Sequence, residues 1–96
     1  MAITPANLVR HELIGLIAEI SESRNKSLIG EKGKIIDETR NMLIIETKKG
    51  EKKSQKEITT YIITLPSRKR VEVEGTLLVG RSEERLRKKI SVKKRW

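Results

Sequence analysis

The stretch Ile58-Thr59-Thr60-Tyr61-Ile62-Ile63-Thr64-Leu65 decides the fold. Every residue but the last is β-branched or aromatic, types that lose side-chain freedom in a helix and pack well on a pleated surface. Pro66 follows and has no N–H to give to a ladder, so the strand stops there. Downstream, Val71-Glu72-Val73-Glu74 alternates strictly and continues past Gly75 into Thr76-Leu77-Leu78-Val79, with Gly75 as a bend of the kind a barrel corner requires. Upstream, Lys34–Glu38 and Met42–Thr47 form two strands around a tight Thr39-Arg40-Asn41 hairpin, in which Asn tolerates left-handed backbone. Lys48–Lys53 reads as a charged loop.

Further out, Leu13–Ser21 also alternates, with Ile14, Leu16, Ala18 and Ile20 on one face. Ser23–Lys26 is then a turn, Ser27–Gly30 a short extended piece, and Gly30 and Gly33 turn or bulge positions. Thr4 and Pro5 are helix-start residues for a first helix over about 5–12. Ser82 caps a last helix over about 82–90, with Glu83 and Glu84 at the positive end of its dipole and Arg87, Lys88 and Lys89 at the negative end. Residues 91–96 are expected to fray. Five to six short antiparallel strands with short N- and C-terminal helices predict an all-β fold, a small closed or nearly closed barrel, a form that limits exposed strand edges. The chain of 96 residues makes one domain, 1–96.

Charge is divided unevenly along this scaffold. Residues Met1 to Thr47 hold 6 Lys/Arg and 7 Asp/Glu, whereas Lys48 to Trp96 hold 16 and 6. A basic surface on a neutral scaffold suits a polyanion, because counterions released from phosphates drive such binding. The cations form three clusters. One is Lys48, Lys49, Lys52, Lys53 and Lys56; a second is Arg68-Lys69-Arg70; the third runs from Arg81 through Arg85, Arg87, Lys88 and Lys89 to Arg95. A solvated loop and a solubilising tail are the competing explanations for the first and third. Tyr61 and Trp96 are the only aromatic residues, too few for a base-stacking platform. Contacts would therefore fall to Lys/Arg, backbone amides and shape.

Catalysis by the chain is not expected. Cysteine is absent, His11 is the single histidine, and no nucleophile set, phosphate loop or zinc spacing occurs. Asp37 and Glu38 are adjacent in a strand and point to opposite faces, so they do not jointly hold a metal. No cofactor bound by the chain and no small-molecule substrate are expected. No apolar run reaches the length of a membrane span or a signal core, which points to a soluble, cytoplasmic protein.

Three segments in order carry a resemblance: Glu12–Leu16, Gly30–Leu43, and Val73–Leu78 leading into Arg81–Arg85. Together they resemble archaeal ribonuclease P protein component 1, counterpart of a protein subunit of the eukaryotic enzyme, over about residues 4–90. The segment Gly33–Leu43 is the specific part, since Glu38-Thr39-Arg40-Asn41 after the glycine pair is distinctive. Ser82 stands where the family often has Pro, and both are helix-start residues. The resemblance implies an Sm-like, SH3-like barrel and a non-catalytic, RNA-binding role in removing the 5′ leader of precursor tRNA. The catalyst would be the ribonuclease P RNA, with magnesium at the RNA active site. It implies pairing with the zinc-ribbon ribonuclease P protein component 4, near the terminal helices, whose apolar residues include Leu8, Val9, Leu86 and Ile90. Carried over by position, Thr39, Arg40 and Asn41 fall at the family's central hairpin, and Arg81 and Arg85 in its C-terminal helix. Expected phosphate contacts are Arg40, Arg68, Lys69, Arg70, Arg81, Arg85, Arg87, Lys88 and Lys89, followed by Lys48, Lys49, Lys52 and Lys53. An architectural DNA-binding barrel and a ribosomal protein are the alternatives of similar composition.

Overall fold

In a computed structural model, which describes Leu8 and residues 12–80, six strands form one antiparallel sheet. They are β1 (Ile17–Ser23), β2 (Lys32–Glu38), β3 (Met42–Thr47), β4 (Gly50–Gln55), β5 (Thr59–Thr64) and β6 (Arg70–Glu74), in the order β4-β3-β2-β1-β5-β6. Single 3₁₀ turns occupy Lys26–Leu28, Lys56–Ile58 and Gly75–Leu78. Apart from Leu8 and Glu12, the expected terminal helices and the tail lie outside the described residues.

β1, β2, β3, β5 and β6 each send apolar side chains into one core, and β4 adds only Ser54. Ala18 and Ile20, Ile35, Leu43 and Ile45, Tyr61 and Ile63, and Val71 and Val73 all meet in it, with Leu8, Leu13 and Leu78. A flat sheet could not bury a single face on itself; this one is rolled. The proof lies between β4 and β5, which have β3, β2 and β1 between them in the sheet order. Across the core the Ser54 Oγ of β4 and the Tyr61 Oη of β5 are hydrogen-bonded at 2.6 Å. The predicted small barrel is therefore the fold found.

Two bulges shape the barrel. In β1 the register shifts between Ile20 and Glu22, and in β2 between Ile35 and Asp37. Ile35 faces Ile45 on the inside; Asp37 then faces Ile44 on the outside and Glu38 faces Leu43 on the inside. An unbulged strand would have turned Asp37 inward and Glu38 to solvent. One inserted residue thus selects which carboxylate enters the barrel.

Several elements depart from the sequence expectation. Leu13–Ser21 is not one strand: Ile14 and Gly15 form a turn, Gly15 has φ +98°, and Ile14 is 44% exposed while Leu13 is buried. A left-handed residue interrupts the two-residue period, which periodicity alone cannot register. Ser27–Gly30 is not extended, since Lys26–Leu28 is a 3₁₀ turn. Lys48–Lys53 is not a loop. Only Lys48 and Lys49 turn, and β4 begins at Gly50. With Ser54 its sole fully buried residue, β4 has no apolar alternation to betray it, and its pairing to β3 supplies the order. Beyond Gly75 the chain is a 3₁₀ turn and not a strand. Gly75 serves close approach: a Cβ there would lie 1.9 Å from the Lys56 carbonyl oxygen.

Candidate nucleic-acid interface

The Thr39-Arg40-Asn41 hairpin joins β2 to β3 and exposes all three side chains. Its own turn is tied by the Thr39 amide donating to the Met42 carbonyl at 3.0 Å and the Met42 amide donating to Thr39 Oγ1 at 3.1 Å. No left-handed residue is needed, and Asn41 does not adopt one. What holds the hairpin in place comes from elsewhere in the chain, and chiefly from Lys56.

Lys56 is fully buried. Its Nζ donates to Glu38 Oε2 at 2.7 Å, to the Thr39 carbonyl at 2.8 Å, to the Gly80 carbonyl at 3.0 Å and to the Arg40 carbonyl at 3.3 Å. An ammonium has three protons, and the three shortest contacts use them. The Lys56 amide donates to the Asn41 carbonyl at 2.8 Å, and the Gly80 amide to the Arg40 carbonyl at 2.7 Å. All three hairpin carbonyls are therefore occupied from inside the protein. A buried charge needs a partner and a full hydrogen-bond shell, and Lys56 has both. Among the described residues no buried side-chain nitrogen or oxygen lacks a hydrogen-bond partner.

The sequence grouped Lys56 with the surface lysines of the first cluster; the structure withdraws it. Lys52 and Ser54 take the inward positions of β4, opposite Ile45 and Leu43, and Lys56 follows in the 3₁₀ turn after the strand. No local signal in the sequence separates it from its neighbours. Lys48, Lys49 and Lys53 are exposed and Lys52 is half-buried. Lys49 Nζ stands 4.0 Å from Glu31 at the rim of an open groove of about 600 Å³ that Ile17, Gly30, Lys32 and Thr47 help to line.

Arg68, Lys69 and Arg70 are exposed at the β5–β6 connection. Arg68 has φ 72°, the one positive value at a non-glycine among the described residues, after a turn closed by its amide donating to the Leu65 carbonyl at 2.8 Å. For an L-residue that conformation costs about 1–2 kcal/mol. The Arg70 guanidinium donates to Glu19 Oε1 at 3.0 Å, so its charge is shared with a carboxylate. Glu19 is in turn the register partner of Lys32. Across this outer face cations and carboxylates alternate. The hairpin, by contrast, sits against Gly80, after which the sequence enters the third basic cluster. Arg81, Arg85, Arg87, Lys88 and Lys89, with the apolar Val9, Leu86 and Ile90, lie outside the described residues. Leu8 is buried in the core.

Tyr61 is buried and its phenol is hydrogen-bonded, so it offers no face to a base. Burial raises its pKa above the ordinary 10.0, and hydrogen bonds with Ser54 and Thr59 oppose that shift. Among the described residues no group of three or more His, Cys, Asp or Glu side chains is arranged to hold a metal, and no helix is long and apolar enough to cross a membrane.

Fold and surface define a small antiparallel β-barrel that exposes cations on its turns, on both edge strands and, at Lys32 and Lys34, on β2. A family model described as Ribonuclease P/MRP, subunit p29 matches residues 6–88, and the chain belongs to that family. Ribonuclease P protein component 1 of Methanocaldococcus jannaschii is 54% identical over 91 residues, covering 94% of this chain and 95% of the relative. The protein of the same name from Thermofilum pendens is 44% identical, covering 94% of this chain and 97% of its own length. The solved structure of Mth11, described as a homologue of human RNase P protein Rpp29, is 42% identical with a TM-score of 0.57, covering 78% of this chain and 97% of that one. The chain is thus a ribonuclease P protein subunit, as the segment around Glu38–Asn41 led one to expect.

Proposed function

We propose that this chain is the non-catalytic RNA-binding subunit that supports removal of the 5′ leader from precursor tRNA. In this reading it binds the ribonuclease P RNA in the cytoplasm beside the zinc-ribbon protein component 4, and cleavage belongs to the RNA and its magnesium. The observation that carries the reading is the hairpin. Its backbone carbonyls are consumed inside the protein while Thr39, Arg40 and Asn41 point to solvent, in the segment most specific to the family. A loop that is already ordered loses less freedom when it binds. With Tyr61 in the core, phosphate recognition falls to cations, and among the described residues Arg40, the exposed lysines and Arg68–Arg70 present theirs at the surface.

The test is binding of the purified chain to its ribonuclease P RNA across a salt series. Replacing Arg68, Lys69 and Arg70 together by Glu is expected to weaken binding and flatten the dependence of log affinity on log salt by roughly 0.7–0.9 for each phosphate left without its cation. Unchanged affinity and slope would remove that turn from the interface. Preference for duplex DNA, or co-purification with ribosomal subunits, would overturn the RNA assignment itself.

A further inference from the structure

Lys56 is the one charged side chain that the described residues bury completely, and none of its atoms reaches solvent to meet RNA. We infer that Lys56 is a positioning residue for RNA recognition: it fixes the hairpin backbone so that Arg40 and Asn41 are presented in the geometry that RNA requires. The inference rests on the RNA-binding reading above and deepens it.

The geometry is specific to the hairpin. Lys56 reaches Glu38 at its start, the Thr39 and Arg40 carbonyls at its turn and, through its own amide, the Asn41 carbonyl. Gly80 completes the arrangement by accepting from Lys56 Nζ and donating to the Arg40 carbonyl. Three parts of the chain therefore meet at one ammonium: the turn after β4, which bears Lys56, the β2–β3 hairpin, and Gly80, two residues past the 3₁₀ turn Gly75–Leu78. Gly75 lets them converge, because any Cβ there would collide with the Lys56 carbonyl. The β2 bulge contributes by turning Glu38 inward. A core that required only stability could fill this space with apolar side chains, since a buried ion pair is weak evidence of stabilisation. What an ammonium does that a methyl group cannot is hold several carbonyls at defined directions at once.

The test is a set of double-mutant cycles on the full chain, read as affinity for ribonuclease P RNA. In the unmodified background Arg40→Ala is expected to lower affinity about tenfold, the effect of removing one charge-assisted hydrogen bond. In the Lys56→Met background the same change should cost less than about threefold, because the misplaced hairpin no longer delivers Arg40 to its phosphate. The pair Lys48→Ala and Lys49→Ala, in the turn away from Lys56, should cost the same factor in both backgrounds. Thermal unfolding fixes a temperature at which each variant is folded. If Lys56→Met does not fold, Lys56→Arg replaces it, keeping the charge beside Glu38 while changing the directions in which its donors meet the hairpin carbonyls. A merely structural lysine would scale every variant alike, and equal costs for Arg40→Ala in both backgrounds overturn the inference. So does an Arg40→Ala that is silent without the Lys56 change, in which case the RNA-binding reading survives if the Arg68–Arg70 reversal still weakens binding. Absence of RNA binding by the unmodified chain removes both.

Discussion

Two turns of this barrel begin as the same kind of sequence and end as opposite kinds of structure. The β3–β4 turn carries Lys48 and Lys49 into water; the turn after β4, seven residues beyond Lys49, takes Lys56 out of it. At the first, Lys49 has a single carboxylate 4.0 Å away and 79% of its side chain is exposed. At the second, an equally flexible side chain is held by a carboxylate and backbone carbonyls within 3.3 Å. Lysine is a point charge on a long apolar stem and suits either setting. Position in the fold, not residue type, assigns it to one.

The contrast can be broken most directly in stability. Lys56→Ala leaves Glu38 buried without its counter-charge and is expected to cost about 3–5 kcal/mol, measured by denaturant unfolding. Lys49→Ala at the open turn should stay within about 0.5 kcal/mol. Equal effects would mean that Lys56 is not the buried group described. Next in size is Gly75→Ala, which places a methyl group against the Lys56 carbonyl and should cost about 1–3 kcal/mol by overpacking. A neutral result would show that the 3₁₀ turn can retreat from Lys56 without loss.

A smaller effect than that of Gly75→Ala concerns the neutral polar contact between Ser54, two residues before Lys56, and Tyr61 on β5. Tyr61→Phe removes one partner of the Ser54 hydroxyl, which keeps its hydrogen bond to the Leu43 carbonyl, so about 1 kcal/mol is expected. The phenol also gives a pH signature. Its folded pKa is raised by burial, so between the unfolded value and the folded one the unfolded chain has lost a proton that the folded chain keeps. The stabilisation is complete below the unfolded pKa of about 10 and falls as pH rises through the folded value. Tyr61 is the only tyrosine, so phenolate absorbance reports it alone, with a midpoint expected above 10.0. Tyr61→Phe should flatten the alkaline loss of stability, and an unchanged profile would assign that loss to other groups.

Much of the barrel was legible in Ile58–Leu65, Val71–Glu74 and the two strands around the hairpin, because β-branched runs and alternation are local signals. β4 was not, since Gly50-Glu51-Lys52-Lys53-Ser54-Gln55 becomes a strand only by pairing with β3. The hairpin could be singled out from the sequence, but its support could not. Lys56, Glu38 and Gly80 meet through a bulge and a rolled sheet, neither of which has a local signature. Gly75 was recognised as special for the wrong cause: the strand does not bend there, but another backbone passes.

The charged character of β4 has a consequence of its own. β4 is one margin of the sheet, and it carries Glu51, Lys52 and Lys53 where a more typical strand would carry valine or isoleucine. β6, the other margin, keeps Val71 and Val73 inside and leaves Arg70 and Glu74 exposed. Unpaired margins are where β-proteins add one copy to the next and aggregate, and a second chain laid alongside would have to desolvate these charges. The lysines that hid β4 from a reading of the sequence thus also disfavour edge-to-edge pairing of the barrel.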